Sequence, residues 1–168
     1  MSVSFLPKLM ADALTDLTPD MLMKRGVRLL MLDFDNTIVP YTSDKPTVLM
    51  ASWLAGARVS GLQLCVVSNS KRGRVKKFCK EHDIPCITHA RKPFSKGIRQ
   101  CMERYGYKPE ECALVGDQIF TDVLGANGCG VQSILVKAID NHNIWLKLRH
   151  VAELPFIFLA RKRRLTNA

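Results

Sequence analysis

The sequence predicts an α/β domain built on a doubly wound parallel sheet, and two observations carry that prediction. Short, nearly unbroken apolar runs at 27–32, 62–67, 112–115 and 131–136 have the character of strands buried on both faces. Between them lie stretches with helical apolar spacing and short connections, an alternation that yields parallel strands joined by crossover helices. The most telling run is Leu29-Leu30-Met31-Leu32, which breaks into Asp33-Phe34-Asp35-Asn36-Thr37.

Taken in order, Leu6, Met10, Ala13, Leu14 and Leu17 recur at helical spacing and predict an amphipathic opening helix. Thr18 and Pro19 predict a second, short helix, with Thr18 as its cap, Pro19 at its first position and Gly26 closing it. The strand over 27–32 follows, interrupted only by Arg28. Residues 46–60 read as a helix with Leu49, Trp53, Leu54 and Ala57 on its buried stripe, and Gly61 ends it. The second strand, 62–67, breaks into Ser68-Asn69-Ser70. A basic helix over 71–82 then leads to a short strand at 84–88 and the loop His89-Ala90-Arg91-Lys92-Pro93. Ser95 is placed to cap a helix that runs to Tyr105. The fourth strand, 112–115, opens into a loop from Gly116-Asp117 to Asp122, and a helix over 122–128 precedes the fifth strand at 131–136. Residues 141–168 depart from the pattern.

At 168 residues and 47% hydrophobic content the chain is long and apolar enough for one folded domain. Its formal charge of +10 favours anionic partners: phosphorylated substrates, nucleic acid or an acidic membrane surface. The six cysteines stand singly, without metal-binding spacing, as reduced core thiols do. No stretch approaches the roughly 20 apolar residues of a membrane span, and residues 1–9 lack a secretory-signal core, which predicts a cytoplasmic protein.

In a parallel sheet the carboxyl ends of the strands share one edge, where ligands bind. That edge receives Asp33 and Asp35, Ser68 and Asn69, Lys92, and Asp117 with Asp122. Two carboxylates aimed at one site need a cation or a shared proton, so the pair reads as a divalent-metal site or an acid/base dyad. The set as a whole suits phosphoryl transfer. Carboxylates hold Mg²⁺, a lysine and a hydroxyl meet phosphate oxygens, and one carboxylate can attack phosphorus.

The ordered combination Asp33-Phe34-Asp35-Asn36-Thr37, Ser68, Lys92-Pro93 and Gly116-Asp117 with Asp122 resembles the four motifs of the haloacid dehalogenase (HAD) superfamily of phosphatases, over about 27–136. The extended forms, Asp33 to Tyr41 and Gly116-Asp117-Gln118 with Thr121-Asp122, resemble its subclass IIIA, the YqeG-like group related to phosphatidylglycerophosphate phosphatases. This resemblance implies a HAD-like, Rossmann-like sheet; the motif spacings leave no room for a cap domain, and the chain divides into a helical lead-in (1–26), a catalytic domain (27–140) and a C-terminal extension (141–168). It implies that Asp33 is the nucleophile and Asp35 the acid and base. Thr37, Ser68, Asn69 and Lys92 serve the phosphate, and Lys92 also neutralises Asp33. Asp33, Asp117 and the main-chain oxygen of Asp35 bind Mg²⁺, and Asp122 is an outer-shell ligand or a helix cap.

Substrate is less determined. Only one helix and one strand fit between Asp35 and Ser68, and little more between Ser68 and Lys92, so the site is expected to be open. An open site cannot seal a small metabolite from water, but it accepts a phosphate carried on something large. The extension offers Trp145, Leu148 and Val151 at helical spacing, the apolar run 155–159 and the basic block 161–164. These either seat the protein on an anionic membrane or pack on its own sheet. The expected activity is a Mg²⁺-dependent phosphatase, with phosphatidylglycerophosphate as first substrate. The rivals are a soluble sugar, nucleotide or protein phosphate and, in another class, a basic RNA- or ribosome-binding role.

Overall fold

The computed structural model describes residues 4–71, 73–140 and 144–165, with the side chains of 144–150 outside that description. Six strands, β1 (Leu9–Met10), β2 (Leu29–Leu32), β3 (Gln63–Val67), β4 (Cys86–Ile87), β5 (Cys112–Gly116) and β6 (Gln132–Leu135), form one sheet in the order β1-β6-β5-β2-β3-β4. Every pairing is parallel. From β2 the chain winds outward through β3 to β4, then crosses back to β5 and continues through β6, so the order reverses beside β2. Asp33, the residue after β2, therefore stands at the switch point where such sheets open a crevice.

Alternate strand residues feed two cores. Leu30, Leu32, Leu64, Val66, Ala113 and Val115 face one layer with Leu54 and Ala57 of α2 (Val48–Val59) and Val75 and Phe78 of α3 (Gly73–Glu81). Leu29, Met31, Cys65, Val67 and Leu114 face the other with Ile98, Cys101 and Met102 of α4 (Lys96–Tyr105) and Ala126 of α5 (Leu124–Gly128). This two-sided covering is why the strands read as unbroken apolar runs. The short helix over Pro19–Lys24, α1, begins as expected, with Thr18 Oγ1 accepting from the Met21 N–H. All six cysteines are free thiols, and five are buried.

Three expectations are corrected. The opening segment is no amphipathic helix: Leu9 and Met10 form β1, and only Leu14–Asp16 makes a single 3₁₀ turn. Its apolar residues pack below α2 and along β6, so tertiary pairing overrides a spacing that also suits a helix. On α2 the buried stripe is Met50, Leu54 and Ala57, with Trp53 packed at its edge. Leu49, at 66% exposure, lies outside it: Met50, one residue on, shares the buried face with Leu54 and Ala57 at the i, i+4, i+7 spacing of a helix. Ser95 precedes α4 but makes no side-chain cap, since its backbone is already helical.

The C-terminal helix α6 (Ile144–Ala160) folds back on the sheet edge. Phe156, Ile157 and Ala160 pack with Met10, Ile119, Val123 and Leu135. Beyond it, Leu165 N–H donates to Met10 O at 2.7 Å, Arg163 donates to Pro7 O at 2.8 Å and Arg164 pairs with Asp12, so the outer edge of β1 is covered. Of the basic block, Arg163 and Arg164 are thus tied to the N-terminal segment while remaining at the surface. The opposite face of α6 leaves Val151, Leu154, Phe158 and Leu159 exposed. Trp145 and Leu148 lie outside the described side chains. Among the described residues no helix is long and apolar enough to cross a membrane.

Candidate active site

The four strand ends deliver their polar residues to one place. Lys92 Nζ lies 2.6 Å from Asp33 Oδ1 and 2.7 Å from Asp122 Oδ1, and all three side chains are almost wholly buried. Asp117, at the end of β5, completes a cluster in which carboxylate oxygens of Asp33, Asp117 and Asp122 lie within 4.8 Å of one another. Asp122 reaches it from a single wide helical turn, Ile119–Val123, where its Oδ2 accepts from the Gln118 N–H at 3.2 Å. It is a member of the carboxylate cluster and not the cap of a helix. The close approach depends on Gly116, since a Cβ there would meet Asp122 Cγ at 2.2 Å.

The backbone around Lys92 is fixed from β3. Asn69 donates to Lys92 O at 2.8 Å and accepts from Lys92 N–H at 2.7 Å, so the amide of Asn69 holds the lysine's main chain. Ser68 is buried, and its hydroxyl accepts from the Ser70 N–H at 3.0 Å. The loop after Asp33 turns at Asn36, whose φ of 63° suits an Asn, and Asn36 ties it to the segment that follows β6 by donating to Asp140 O at 2.7 Å. Thr37 is buried, and its hydroxyl has no hydrogen-bond partner among the described residues.

Asp33, Asp35, Ser68, Asn69 and Lys92 line one open cavity of about 130 Å³, together with Tyr41, Ser70, Gln118 and Thr121. Thr37 does not reach its wall. Larger cavities of about 300 and 240 Å³ lie around Arg58 and Asp83 and contain none of the strand-end residues. Most ligand pockets exceed 300 Å³, so the strand-end cavity suits a phosphate group rather than a whole metabolite.

Charge sets the chemistry of this place. Burial pushes the Asp33 carboxyl up to about 7, with Asp122 and Asp35 adding to the rise and Lys92 opposing it. Burial would depress the Lys92 ammonium, but Asp122 and Asp33 hold it above its ordinary value. One ammonium among the buried carboxylates of Asp33, Asp117 and Asp122 leaves negative charge uncompensated. An all-oxygen donor set with that excess fits a hard divalent cation.

Sequence reading missed several participants. Arg74 of α3 pairs with Asp35 at 3.0 Å, although its helix reads as a solvated basic face. Glu153 of α6 is buried and accepts from the N–H groups of Ile119 and Phe120 at 2.9 and 3.4 Å, buttressing the turn that carries Asp122. Tyr41, Gln118 and Thr121 lie in the extended motifs and Ser70 in the loop after β3, but the sequence reading gave none of them a role at the site.

A carboxylate at the switch point of a parallel sheet, salt-bridged to a buried lysine over an acidic cluster, defines a hydrolase of the haloacid dehalogenase class. The chain belongs to the haloacid dehalogenase-like phosphatases, and it is a phosphomonoesterase. The HAD-hyrolase-like family matches residues 89–142. The probable phosphatase YqeG of Bacillus subtilis is 36% identical over 132 residues, 79% of this chain and 77% of that protein. Among solved structures, a hypothetical protein from Xanthomonas campestris superposes with a TM-score of 0.58 at 16% identity, covering 82% of this chain and 78% of the other. Cobalt-bound deoxy-D-mannose-octulosonate 8-phosphate phosphatase from Haemophilus influenzae gives 0.54 at 12%, covering 83% and 92%. Both share the fold.

Proposed function

We propose that the protein hydrolyses phosphate monoesters through an aspartyl-phosphate on Asp33, with a glycerophospholipid phosphate, phosphatidylglycerophosphate first, as substrate. The observation that carries the reaction is the Lys92–Asp33 contact of 2.6 Å at the wall of the phosphate-sized cavity.

In the first half, an Asp33 carboxylate oxygen attacks phosphorus as the bond to the ester oxygen breaks, and Asp35 gives that oxygen its proton. In the second, a water oxygen attacks phosphorus, its proton passes to Asp35, and the bond to Asp33 breaks to release inorganic phosphate. Lys92 offsets charge on Asp33 and on the transferring group, held in place by Asp122 and by Asn69. Ser68 and the backbone at Asn69 meet the remaining phosphate oxygens, and Thr37 supports the Asp35 loop. Asp33, Asp117 and the main-chain oxygen of Asp35 would hold Mg²⁺, with Asp122 beside them. The bound ion supplies charge neutralisation between carboxylate and phosphate.

The lipid assignment rests on two further features. Among the described residues, only α2 and β3 lie between Asp35 and Ser68 and only α3 and β4 between Ser68 and Lys92, which supports an uncapped, open site. The exposed face of α6, with Val151, Leu154, Phe158 and Leu159 followed by Arg161, Lys162 and Arg163, has the character of a segment that rests on an anionic bilayer from the cytoplasmic side.

The test is phosphate release from phosphatidylglycerophosphate in mixed micelles, beside p-nitrophenyl phosphate and soluble sugar and nucleotide phosphates, with and without Mg²⁺. Asp33→Asn is expected to lose at least about a thousandfold in kcat. Turnover of soluble esters alone would replace the lipid by a soluble phosphate. No Asp33-dependent turnover, with salt-sensitive RNA binding in its place, would overturn the reaction.

A further inference from the structure

Among the described residues of α3, Arg74 is the one cation that turns inward. Its side chain is 11% exposed, while those of Lys76, Lys77 and Lys80 on the same helix face solvent. The guanidinium meets Asp35 Oδ1 through Nη2 at 3.0 Å and Asp44 Oδ1 through Nε at 3.4 Å. It also donates to Tyr41 O at 2.9 Å and Pro40 O at 3.2 Å, and its Cζ lies 5.2 Å from the centre of the Phe34 ring. One rigid fork therefore spans the loop from Phe34 to Asp44 and anchors it to α3. A lysine, a single flexible point charge, cannot make this set of contacts. Both Asp35 and Tyr41 line the phosphate-sized cavity, so the fork fixes two of its walls.

We infer that Arg74 is a positioning residue for the proton transfers of Asp35: the guanidinium, hydrogen-bonded to the main chain at Pro40 and Tyr41, holds the Asp35 carboxylate by an ion pair and keeps it at the cavity wall where the leaving oxygen and water arrive. This rests on the assignment of Asp35 as acid and base. The pair is half sequestered, with the two side chains 11% and 15% exposed, so the guanidinium keeps a definite orientation instead of sampling solvent. The ion pair restrains where the Asp35 carboxyl sits, and a displacement of about 1 Å suffices to cost about 100-fold in rate.

The experiment compares an alkyl phosphate, sn-glycerol 3-phosphate, with p-nitrophenyl phosphate, whose leaving group needs little protonation. Arg74→Ala is expected to lower kcat about 100-fold on the alkyl ester and less than about fivefold on the aryl ester, the range of one general-acid contribution. Asp35→Asn should show the same selectivity, and the double variant should be no worse than Asp35→Asn. Added guanidinium ion should restore at least about tenfold of the Arg74→Ala loss on the alkyl ester and nothing in Asp35→Asn, while Arg74→Lys falls between wild type and Arg74→Ala. Equal losses on both esters, with no guanidinium rescue, would overturn the proposal and leave Arg74 a fold-supporting residue. So would wild-type rates in Arg74→Ala. If Asp35→Asn itself fails to separate the two esters, it is the acid/base assignment that falls. Circular dichroism of each variant distinguishes lost chemistry from lost fold, and Arg74→Lys with its conserved charge carries the test if Arg74→Ala unfolds.

Discussion

At residue scale the site depends on atoms that the sequence shows only as letters. Gly116→Ala places a methyl where Asp122 Cγ lies 2.2 Å away, and Asp122 must leave Lys92 or the strand must shift. We expect a destabilisation of about 1–3 kcal/mol in urea unfolding, as for overpacked interiors, together with a fall in activity of at least about tenfold. The raised Asp33 carboxyl makes a second prediction. If Asp33 holds Mg²⁺ as proposed above, its proton competes with the ion, and Mg²⁺ affinity, read by isothermal titration calorimetry, should weaken about tenfold per pH unit below about 7 and level off above it. In the metal-free protein the same group binds its proton more tightly folded than unfolded. Its stabilising contribution is therefore complete below the ordinary value of 3.8 and lost as pH rises through about 7. Asp33 and Asp117 were legible because each follows an apolar run at a strand's carboxyl edge, whereas Asp35 and Lys92 lie further along the loops and were legible only through the order of the motifs. Arg74 was not, because nothing in a string of cations marks the one that turns toward Phe34.

At the scale of elements, the turn Ile119–Val123 joins the site to the C-terminal helix. Glu153 accepts the N–H groups of Ile119 and Phe120 beneath Asp122, and Glu153→Ala leaves buried donors without that acceptor. We expect Glu153→Ala to cost about 1–3 kcal/mol in urea unfolding and to lower kcat, while Glu153→Gln, which keeps an acceptor oxygen, retains most of both. The strands β2, β3, β5 and β6 were legible from their double-sided burial, to within a residue or two at each end. The two-residue strand β1 was not: Leu9 and Met10 carry no period of their own, and their pairing with Ile134 and Leu135 is decided more than 120 residues later in the chain. Leu49 and Met50 show the same limit on α2: they are adjacent apolar residues, and packing on the sheet decides which of them is buried.

At the scale of the whole molecule, the cavity, the cationic surface and the outer face of α6 together determine what the phosphatase can reach. If α6 seats the protein on anionic lipid, Leu154→Asp with Phe158→Asp should reduce cosedimentation with phosphatidylglycerol vesicles by at least about tenfold and leave p-nitrophenyl phosphate turnover within twofold of wild type. Neutral vesicles should bind weakly, and raised salt should weaken binding to anionic ones. Unchanged cosedimentation would mean that this face serves something other than lipid.

The pairing of Lys8 with Ser133, 125 positions apart, also sets a timetable during synthesis. At about 5–20 residues per second the ribosome delivers the strand that completes β1 some ~6–25 s after β1 itself. The first-made strand is thus the last to be paired, and its final cover, Leu165 on Met10, arrives later still. The nascent protein can order β2, β3 and β5, and with them Asp33, Lys92 and Asp117, while β1 still waits for a neighbour.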